Sequence, residues 1–197
     1  MKIYGDAISG NCLKVKWTAD ALGLPYTWVP IDIMKGESRV PAYLEKFPHG
    51  QVPAVELADG RTLGQSNAII RYLARGSRLL PDDTYAQAKV DEWLFWEQYS
   101  HEPYVAVCRF HMKYLGRPKE DREAWRVERG EKALDLVEDQ LRSRDYLAGS
   151  AATIADISVL AYTRLAHEGG FDLKPRSHLR QWIGRCEDAL GLEPAGR

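Results

Sequence analysis

The spacing of apolar residues changes several times in the first third of the chain. Residues 2–5 form a short apolar-centred run, which predicts a strand. Apolar positions then recur at helical spacing, after a turn in which Asn11 is placed to cap the helix and before Gly23, which is placed to end it. These helical positions are Cys12, Val15, Ala19 and Leu22. Residues 26–33 are rich in β-branched and aromatic side chains and predict a second strand, in which Pro30 favours an edge position.

The next forty residues continue the alternation of short elements. Pro41 is suited to the first position of a helix that runs to Lys46. Residues 52–58 and 61–63 predict a hairpin, because Asp59-Gly60 between them supplies the positive φ that a tight turn needs. Ser66 is placed to cap a following helix. The order β-α-β-α-β-β-α predicts a small mixed sheet with helices on its faces.

Beyond residues 78–84, which contain Pro81 and predict a linker, every periodic pattern is helical. An aromatic-rich stretch from Trp93 onward is expected to be interrupted at Pro103. Residues 153–156 predict a capping box with Asp in place of the usual Glu or Gln, and Gly191 is expected to end a last amphipathic helix. We therefore predict an α/β domain over residues 1–77 and an all-α domain over residues 85–197.

Composition and charge narrow the function classes. Apolar residues make up 45% of the chain, and 27 basic against 28 acidic side chains give a net charge of −1. With this balance, the chain has no excess of basic residues that would favour binding to nucleic acid or to an anionic membrane. The three cysteines lie far apart, which favours neither a disulfide framework nor a metal site. Since the N-terminus also lacks the apolar core of a signal peptide, we expect a cytoplasmic protein that spans no membrane.

Five short segments carry a family resemblance. They are SGNCLKV at residues 9–15, KGESR at 35–39, PHGQVPA at 48–54, QSNAII at 65–70 and TIAD at 153–156. In this order and spacing the chain resembles the glutathione S-transferase superfamily, and in particular bacterial-type members with a serine or asparagine active site, similar to the theta, phi and nu classes. The resemblance implies a thioredoxin-like glutathione-binding domain followed by an all-helical domain, a homodimer, glutathione as co-substrate, no metal, and a role in detoxification.

The resemblance also implies where glutathione binds. Val52-Pro53 matches the family loop with a cis-proline, at which the cysteinyl backbone of glutathione pairs as an added strand. Ser66 and the start of its helix would bind the γ-glutamyl carboxylate. Gln65 stands where the family has an acidic residue, so the charge attraction for the ligand's amine is missing. The affinity for glutathione therefore stays open.

A second carboxylate group of glutathione, on its glycyl residue, needs its own partners. Arg39 and Ser38 lie where related members place basic or polar residues near this group, and Gln51 is expected to join them. For Arg39 an ordinary surface charge is an equally good interpretation.

The chemistry of glutathione transfer requires a thiolate. A free thiol has a pKa of about 8.5, so lowering it by two units takes roughly 2.7 kcal/mol of anion stabilisation. A hydroxyl donor contributes about 1.5–3 kcal/mol and a helix N-terminus typically about 0.3–1 kcal/mol. Ser9 and Asn11 are the available donors, and we favour Ser9. Ser9 would donate to the ligand's sulfur and would not itself be the nucleophile, because no Ser-His-acid arrangement is visible.

Cys12 completes a Ser9-x-x-Cys12 pattern, which has the spacing of a thioredoxin C-x-x-C motif with its first cysteine replaced. Dithiol exchange through this pair is impossible without the first thiol. We therefore expect Cys12 to be a buried structural residue.

The second substrate would be a small, apolar electrophile. Tyr104, Cys108 and His111 fall at near-helical spacing and are expected to line an apolar cleft for it. Two alternatives stay open, namely that Cys108 lies in the helical core and that His111 lies on the surface. Two other functions also stay open, namely glutathione-dependent reduction of disulfides or peroxides, and a non-catalytic binding or regulatory module.

Overall fold

The computed structural model describes residues 1–195, and the chain divides into two compact units after Leu80. This division falls inside the segment 78–84, for which the sequence predicts a linker. The predicted helical domain 85–197 extends two residues beyond the described part.

The first unit contains the predicted order of strands and helices. Its elements are β1 (Lys2–Gly5), α1 (Gly10–Ala21), β2 (Thr27–Pro30), α2 (Pro41–Lys46), β3 (Ala54–Glu56), β4 (Thr62–Gly64) and α3 (Ser66–Leu73). A short 3₁₀ turn, Glu37–Arg39, precedes α2 and was not predicted.

The four strands form one sheet in the order β2-β1-β3-β4. β1 pairs parallel to β2, and the β1–β3 and β3–β4 pairs are antiparallel. β2 is an edge strand, as Pro30 predicts. It is shorter than the predicted 26–33, because β1 ends at Gly5 and offers no partner beyond Pro30.

The sheet buries both of its faces. Ile3 and its register partner Val55 are fully buried on the face that packs against α1 and α3. The opposite face carries Tyr4, whose ring lies 5.0 Å from that of Phe47 after α2. Because successive side chains of a strand point to opposite faces, these short strands can hold helices on both sides.

Glycines with positive φ end two of the predicted elements. Gly23 has φ 63° and follows α1, where the N–H of Leu24 donates to the Ala19 carbonyl at 2.9 Å. Gly60 has φ 83° and closes the β3–β4 hairpin. The N–H of Gly60 donates to the Leu57 carbonyl at 3.0 Å, as expected for a type I turn followed by a left-handed residue.

The second unit is helical, as predicted. Its α-helices are α4 (Thr84–Trp96), α5 (Glu102–Arg109), α6 (Ala124–Gln140), α7 (Ile154–Thr163) and α8 (Ser177–Leu190). Short 3₁₀ turns occur at Lys119–Asp121 and Ala166–Gly169.

The α-helix is interrupted just before Pro103, as expected, although the chain stays helical: α4 ends at Trp96, a π-helical turn follows, and α5 begins at Glu102. Pro103 lies in the first turn of α5, where its missing N–H costs little. Wide π-helical turns, Glu97–His101 and Phe110–Tyr114, stand on either side of α5.

The capping box at the start of α7 is confirmed. The Thr153 hydroxyl accepts from the Ala155 N–H at 3.2 Å, and the Asp156 carboxylate accepts from the Thr153 N–H at 2.9 Å. The same carboxylate also accepts from the Trp182 ring N–H on α8 at 2.9 Å, which ties α7 to the last helix. That helix ends at Gly191, as predicted.

Within residues 1–195, the structure has no helix that is both long and apolar enough to cross a bilayer.

Candidate functional site

A hydrogen bond joins the N-terminal ends of α1 and α3. The Ser66 hydroxyl donates to Asn11 Oδ1 at 3.0 Å, and Ser66 is buried. The expectations that Ser66 and Asn11 cap their helices are therefore wrong, since each lies just inside its helix. Their side chains bond to each other, so the two helix ends form one polar surface.

Ser9 occupies the position before the first residue of α1. Its backbone is extended (φ −72°, ψ 123°), and its side chain makes no capping hydrogen bond to α1. The carbonyl of Ser9 accepts from the Leu13 N–H at 2.9 Å, so the first turn of α1 holds the Ser9 backbone in place. The hydroxyl takes no part in this contact. Ser9 is half-buried.

Cys12 lies directly behind Ser9 and is fully buried, as predicted. Its sulfur accepts from the Asp6 N–H at 3.3 Å. Burial raises the pKa of Cys12 to about 12, although hydrogen bonds from the Asp6 backbone and the Ser9 side chain oppose this. The thiol therefore stays protonated at neutral pH.

Gln65 precedes α3 in an unusual backbone conformation. With φ 65° and ψ 112°, it is the one non-glycine residue with positive φ in the part of the chain that the structure describes. Such conformations cost about 1–3 kcal/mol and cluster at functional sites. Its side-chain amide donates to Gln51 Oε1 at 3.1 Å, which connects α3 to the loop before β3.

That loop contains the predicted cis peptide bond between Val52 and Pro53. The Tyr43 hydroxyl donates to the Gln51 carbonyl at 2.7 Å and holds the loop from α2. Tyr43 is buried, so this contact is a fixed part of the fold. No pattern in the sequence indicated this contact, because it depends on the packing of α2 under the loop.

Ser38 and Arg39 lie in the 3₁₀ turn before α2. Ser38 is buried, whereas Arg39 is exposed and extends across Gly50. A Cβ added at Gly50 would lie 2.8 Å from Arg39 Nη1, so the absence of a side chain there makes room for the guanidinium. Arg39 is thus brought next to Gln51.

A polar cavity of about 170 Å³ lies on the outer side of the Gln51–Gln65 pair. Its lining includes Lys46 and His49, which the sequence analysis did not single out. Lys46 is engaged with Glu56 at 2.7 Å, and together with Tyr4 and Lys2 it lowers the pKa of Glu56 to about 2.

The predicted electrophile residues lie in the second unit. Cys108 is only 1% exposed, so it is part of the helical interior, and burial raises the pKa of its thiol. His111 is half-buried, and burial together with Arg117 and Arg126 lowers its pKa, so its ring is neutral at neutral pH.

Tyr104 lies in an aromatic and basic neighbourhood. Its ring is 6.2 Å from that of Trp125 in an edge-on arrangement, and Arg129 donates to its hydroxyl at 3.1 Å. Of the three predicted residues, Tyr104 and His111 are the ones that keep partial exposure.

Metal ligation finds no support within residues 1–195, which contain no group of three or more His, Cys, Asp or Glu side chains arranged to hold an ion.

A four-stranded sheet of this order, with helices on both faces and a cis-proline before its third strand, defines a thioredoxin-like fold. The model of the glutathione S-transferase N-terminal domain matches residues 8–75, and that of the C-terminal domain matches residues 119–185.

Known proteins agree with these matches over nearly the whole chain. A probable glutathione S-transferase of Oryza sativa subsp. japonica is 33% identical over 194 residues, covering 92% of this chain and 89% of its own. The crystal structure of a glutathione S-transferase from Pseudomonas fluorescens is 47% identical, with a TM-score of 0.91 and 94% of each chain covered. A possible glutathione S-transferase from Rhodopseudomonas palustris is 39% identical, with a TM-score of 0.93 over 98% of this chain and 96% of its own. The chain belongs to the glutathione S-transferase family.

Proposed function

We infer that this chain is a glutathione transferase, and we propose that its first unit binds glutathione along the surface formed by Ser9, Asn11, Ser66, Gln65 and the 51–53 loop. The observation that carries the proposal is the Ser66–Asn11 hydrogen bond, which places the N-terminal ends of two helices together. Both helices lack an acidic residue in the first turn, so no carboxylate of these turns would repel an anion bound at the helix ends.

The backbone of glutathione would pair with Val52. Tyr43 fixes the carbonyl of the preceding residue, which leaves the half-buried Val52 to offer its own N–H and carbonyl to an extended peptide. Such pairing would position the cysteinyl part of glutathione through backbone hydrogen bonds, without a contact to its side chain.

The γ-glutamyl carboxylate would bind at the start of α3. The first N–H groups of this eight-residue helix provide hydrogen-bond donors and a partial positive charge. The Ser66 hydroxyl, which donates to Asn11 Oδ1 in this structure, would turn to donate to the carboxylate when glutathione binds. Gln65 would accept from the ligand's amine through its side-chain oxygen. Its amide group is already oriented by Gln51, which favours this arrangement.

The glycyl carboxylate would meet Arg39, with Ser38 and Gln51 beside it. The support is the position of the Arg39 guanidinium over Gly50, adjacent to Gln51. A charge-assisted hydrogen bond here is worth about 1.5–3 kcal/mol when shielded from water, and less at an exposed position.

Ser9 would stabilise the thiolate of glutathione. Asn11 accepts from Ser66 through its carboxamide oxygen. Because this bond uses only the acceptor atom of the side chain, Asn11 is the alternative donor to Ser9. The Ser9 side chain makes no capping hydrogen bond to α1 and is partly exposed, so its hydroxyl can donate to the sulfur of a bound ligand. An anionic sulfur is a stronger acceptor than a neutral thiol. The activated thiolate would then attack a small electrophile, for which we propose Tyr104 and His111, the two predicted residues that are partly exposed, as the binding residues.

Reduction chemistry through Cys12 is not supported, since a thiol with a pKa of about 12 is protonated at neutral pH. Family membership also favours a cytoplasmic homodimer, which we include in the proposal.

The binding site is tested by calorimetric titration of the full chain with glutathione. Ser66→Ala should raise the Kd about tenfold or more, because it removes a donor to a carboxylate. The matched control is Ser143→Ala at an exposed position in the second unit, which should leave the Kd unchanged. If the wild-type chain is not retained on immobilised glutathione and does not conjugate glutathione to an aryl halide, the proposal is wrong.

A further inference from the structure

Two aromatic rings and an arginine meet where α5 packs against α6. Tyr104 on α5 is half-buried, and Trp125 on α6 is 47% exposed. Their rings are 6.2 Å apart and meet edge-on at 85°. Arg129 lies one helical turn after Trp125, and we call these three residues the Tyr104 cluster. Since Tyr104 is a proposed electrophile residue, the cluster belongs to the surface that the electrophile would contact.

Arg129 is exposed and is held over both rings of the cluster. Its guanidinium carbon lies 5.6 Å from the centroid of the Tyr104 ring and 5.6 Å from that of the Trp125 ring. Its Nη1 also donates to the Tyr104 hydroxyl at 3.1 Å. A guanidinium has more N–H donors than this one contact uses. The remaining donors can therefore bind a carboxylate while the side chain stays on the rings.

No carboxylate balances the charge of Arg129. In the part of the chain that the structure describes, its guanidinium forms no ion pair with Asp or Glu. On α5, Glu102 is two positions before Tyr104, and residues so spaced do not face the same side of a helix. The positions on α6 that neighbour Arg129, three and four residues away, hold no acidic side chain. They are Trp125, Arg126, Lys132 and Ala133.

The two other cations beside the cluster are already paired. Arg126 lies 2.7 Å from the Glu123 carboxylate, and Lys132 lies 2.6 Å from that of Glu128. Each pair is neutral as a whole, so neither removes the charge of Arg129. The cluster therefore presents an apolar aromatic surface next to one unbalanced positive charge.

We propose that Arg129 selects an electrophile that carries a carboxylate, which binds the guanidinium while the aromatic ring of the electrophile packs against Tyr104 and Trp125. This inference rests on the proposed function and deepens it, because it names the class of electrophile as an activated aryl halide that bears a carboxylate. Exposed aromatic side chains favour contact with a ring, and a guanidinium matches the planar geometry of a carboxylate.

The reaction of such a substrate balances without a further reagent. The thiolate of glutathione forms a C–S bond to the ring carbon that carries the halogen. The halide leaves with the electron pair of the carbon–halogen bond, and the carboxylate is unchanged. Arg129 then determines which electrophile binds and takes no part in forming or breaking bonds.

The test compares the conjugation of glutathione to 4-fluoro-3-nitrobenzoate and to neutral 4-fluoro-3-nitrobenzamide by the full chain. Each kcat/KM is divided by the rate constant of the same electrophile with glutathione in buffer, which removes the difference in intrinsic reactivity. After this correction the wild type should prefer the carboxylate by about 1.5- to 5-fold, as expected for one exposed charge pair. The preference should decrease at high salt, because salt screens exposed charges.

Variants of Arg129 test the residue itself. Arg129→Gln should lower the corrected preference to about one, because it removes the charge. Arg129→Lys should keep part of the preference, and Arg129→Glu should favour the amide, because it repels the carboxylate. Arg180→Gln, at an exposed arginine on α8, is the matched control and should leave both rates unchanged. The rate with the amide also reports whether each variant is folded.

The inference is overturned if the wild type shows no corrected preference for the carboxylate, or if Arg129→Gln keeps that preference. It is also overturned if Arg129→Gln lowers both rates by the same factor, since Arg129 would then only support Tyr104. In each of these cases, conjugation of the amide by the wild type leaves the proposed function standing. If the wild type conjugates neither aryl fluoride, the proposed function is wrong and the inference fails with it.

Discussion

At the scale of single residues, Gln65 joins backbone strain to a change in charge. Its positive φ is sterically unfavourable, because glutamine, unlike glycine, carries a side chain. The contact with Gln51 and the start of α3 hold it in place. The neutral side chain also means that the amine of glutathione would find a hydrogen-bond acceptor without an ionic partner.

Restoring a carboxylate at this position should tighten glutathione binding. Gln65→Glu adds an exposed charge pair with the ligand's amine, and exposed pairs contribute about 0.2–1 kcal/mol. We expect a decrease in Kd of up to about fivefold, measured by calorimetry at low salt.

The control is Gln181→Glu, the same change at an exposed position on α8, which should not affect binding. A weaker affinity for Gln65→Glu would mean that the amine of the ligand does not lie at residue 65.

The sequence shows that Gln65 differs from the acidic residue of the family, but it does not show the backbone conformation of Gln65. The motif QSNAII showed the missing carboxylate, because residue identity is visible in the sequence. The positive φ and the bond to Gln51 arise from a loop 14 positions away, so no local pattern carries them.

At the scale of elements, α8 begins without a capping side chain of its own. Glu138 on α6 supplies the acceptor, since its carboxylate takes the Leu179 N–H at 2.7 Å and contacts the His178 ring at 2.8 Å. Burial raises the pKa of Glu138, but the hydrogen bonds from Leu179 and His178 outweigh burial and hold the pKa below its ordinary value of 4.5.

This pKa shift predicts a pH dependence of stability. A carboxyl group with a lowered folded-state pKa stabilises the fold above its unfolded pKa, and this contribution is lost as pH falls through the folded pKa. The wild type should therefore be more stable than Glu138→Gln at pH 7, and the difference should shrink as the pH falls below 4.5.

Urea unfolding of both proteins at several pH values measures this difference. Glu131→Gln, at a less buried position on the same helix, is a useful comparison because its carboxylate bonds to Arg176 and not to the α8 backbone. A difference for Glu138→Gln that does not change with pH would contradict the assignment.

Among the elements, those defined by local chemistry were predicted well. Pro30 indicated the edge strand, Pro41 the start of α2, and Thr153 with Asp156 the start of α7. The π-helical turns on either side of α5 were not predicted. The Glu138 cap was also not predicted, because it joins Glu138 to His178, 40 positions away along the chain.

At the scale of the whole molecule, the two units differ in how much of their function the sequence predicts. In the first unit, four short motifs in order predict the glutathione site. In the second, helical periodicity indicates the fold, but core and ligand-facing positions share the same period. Cys108 illustrates this limit, because it matched a substrate position by spacing and lies in the interior.

The proposed homodimer can be tested on an exposed apolar face of the second unit. Phe95 and Tyr99, four positions apart along α4 and the turn that follows, are 76% and 82% exposed. Sedimentation equilibrium should give about twice the chain mass of 22.3 kDa. The double variant Phe95→Glu with Tyr99→Glu should shift the protein towards the monomer, because it places like charges on the apolar face.

The matched control is Leu136→Glu, an exposed apolar position on α6, which should leave the mass unchanged. A wild-type mass equal to that of the monomer would contradict the dimer proposal.

The Ser9 hydroxyl, as we propose, stabilises the thiolate of bound glutathione. The most direct measurement is the ultraviolet thiolate absorbance of the glutathione complex as a function of pH. Cys12, with a pKa of about 12, does not interfere with this titration near neutral pH. The wild-type complex should titrate about two units below the free thiol value near 8.5.

Ser9→Ala should raise this midpoint by about one to two units, the equivalent of one hydrogen bond to a charged sulfur, while Asn11→Ala should change it less. If Ser9→Ala leaves the midpoint unchanged and Asn11→Ala raises it towards that of free glutathione, Asn11 is the donor and the account is wrong.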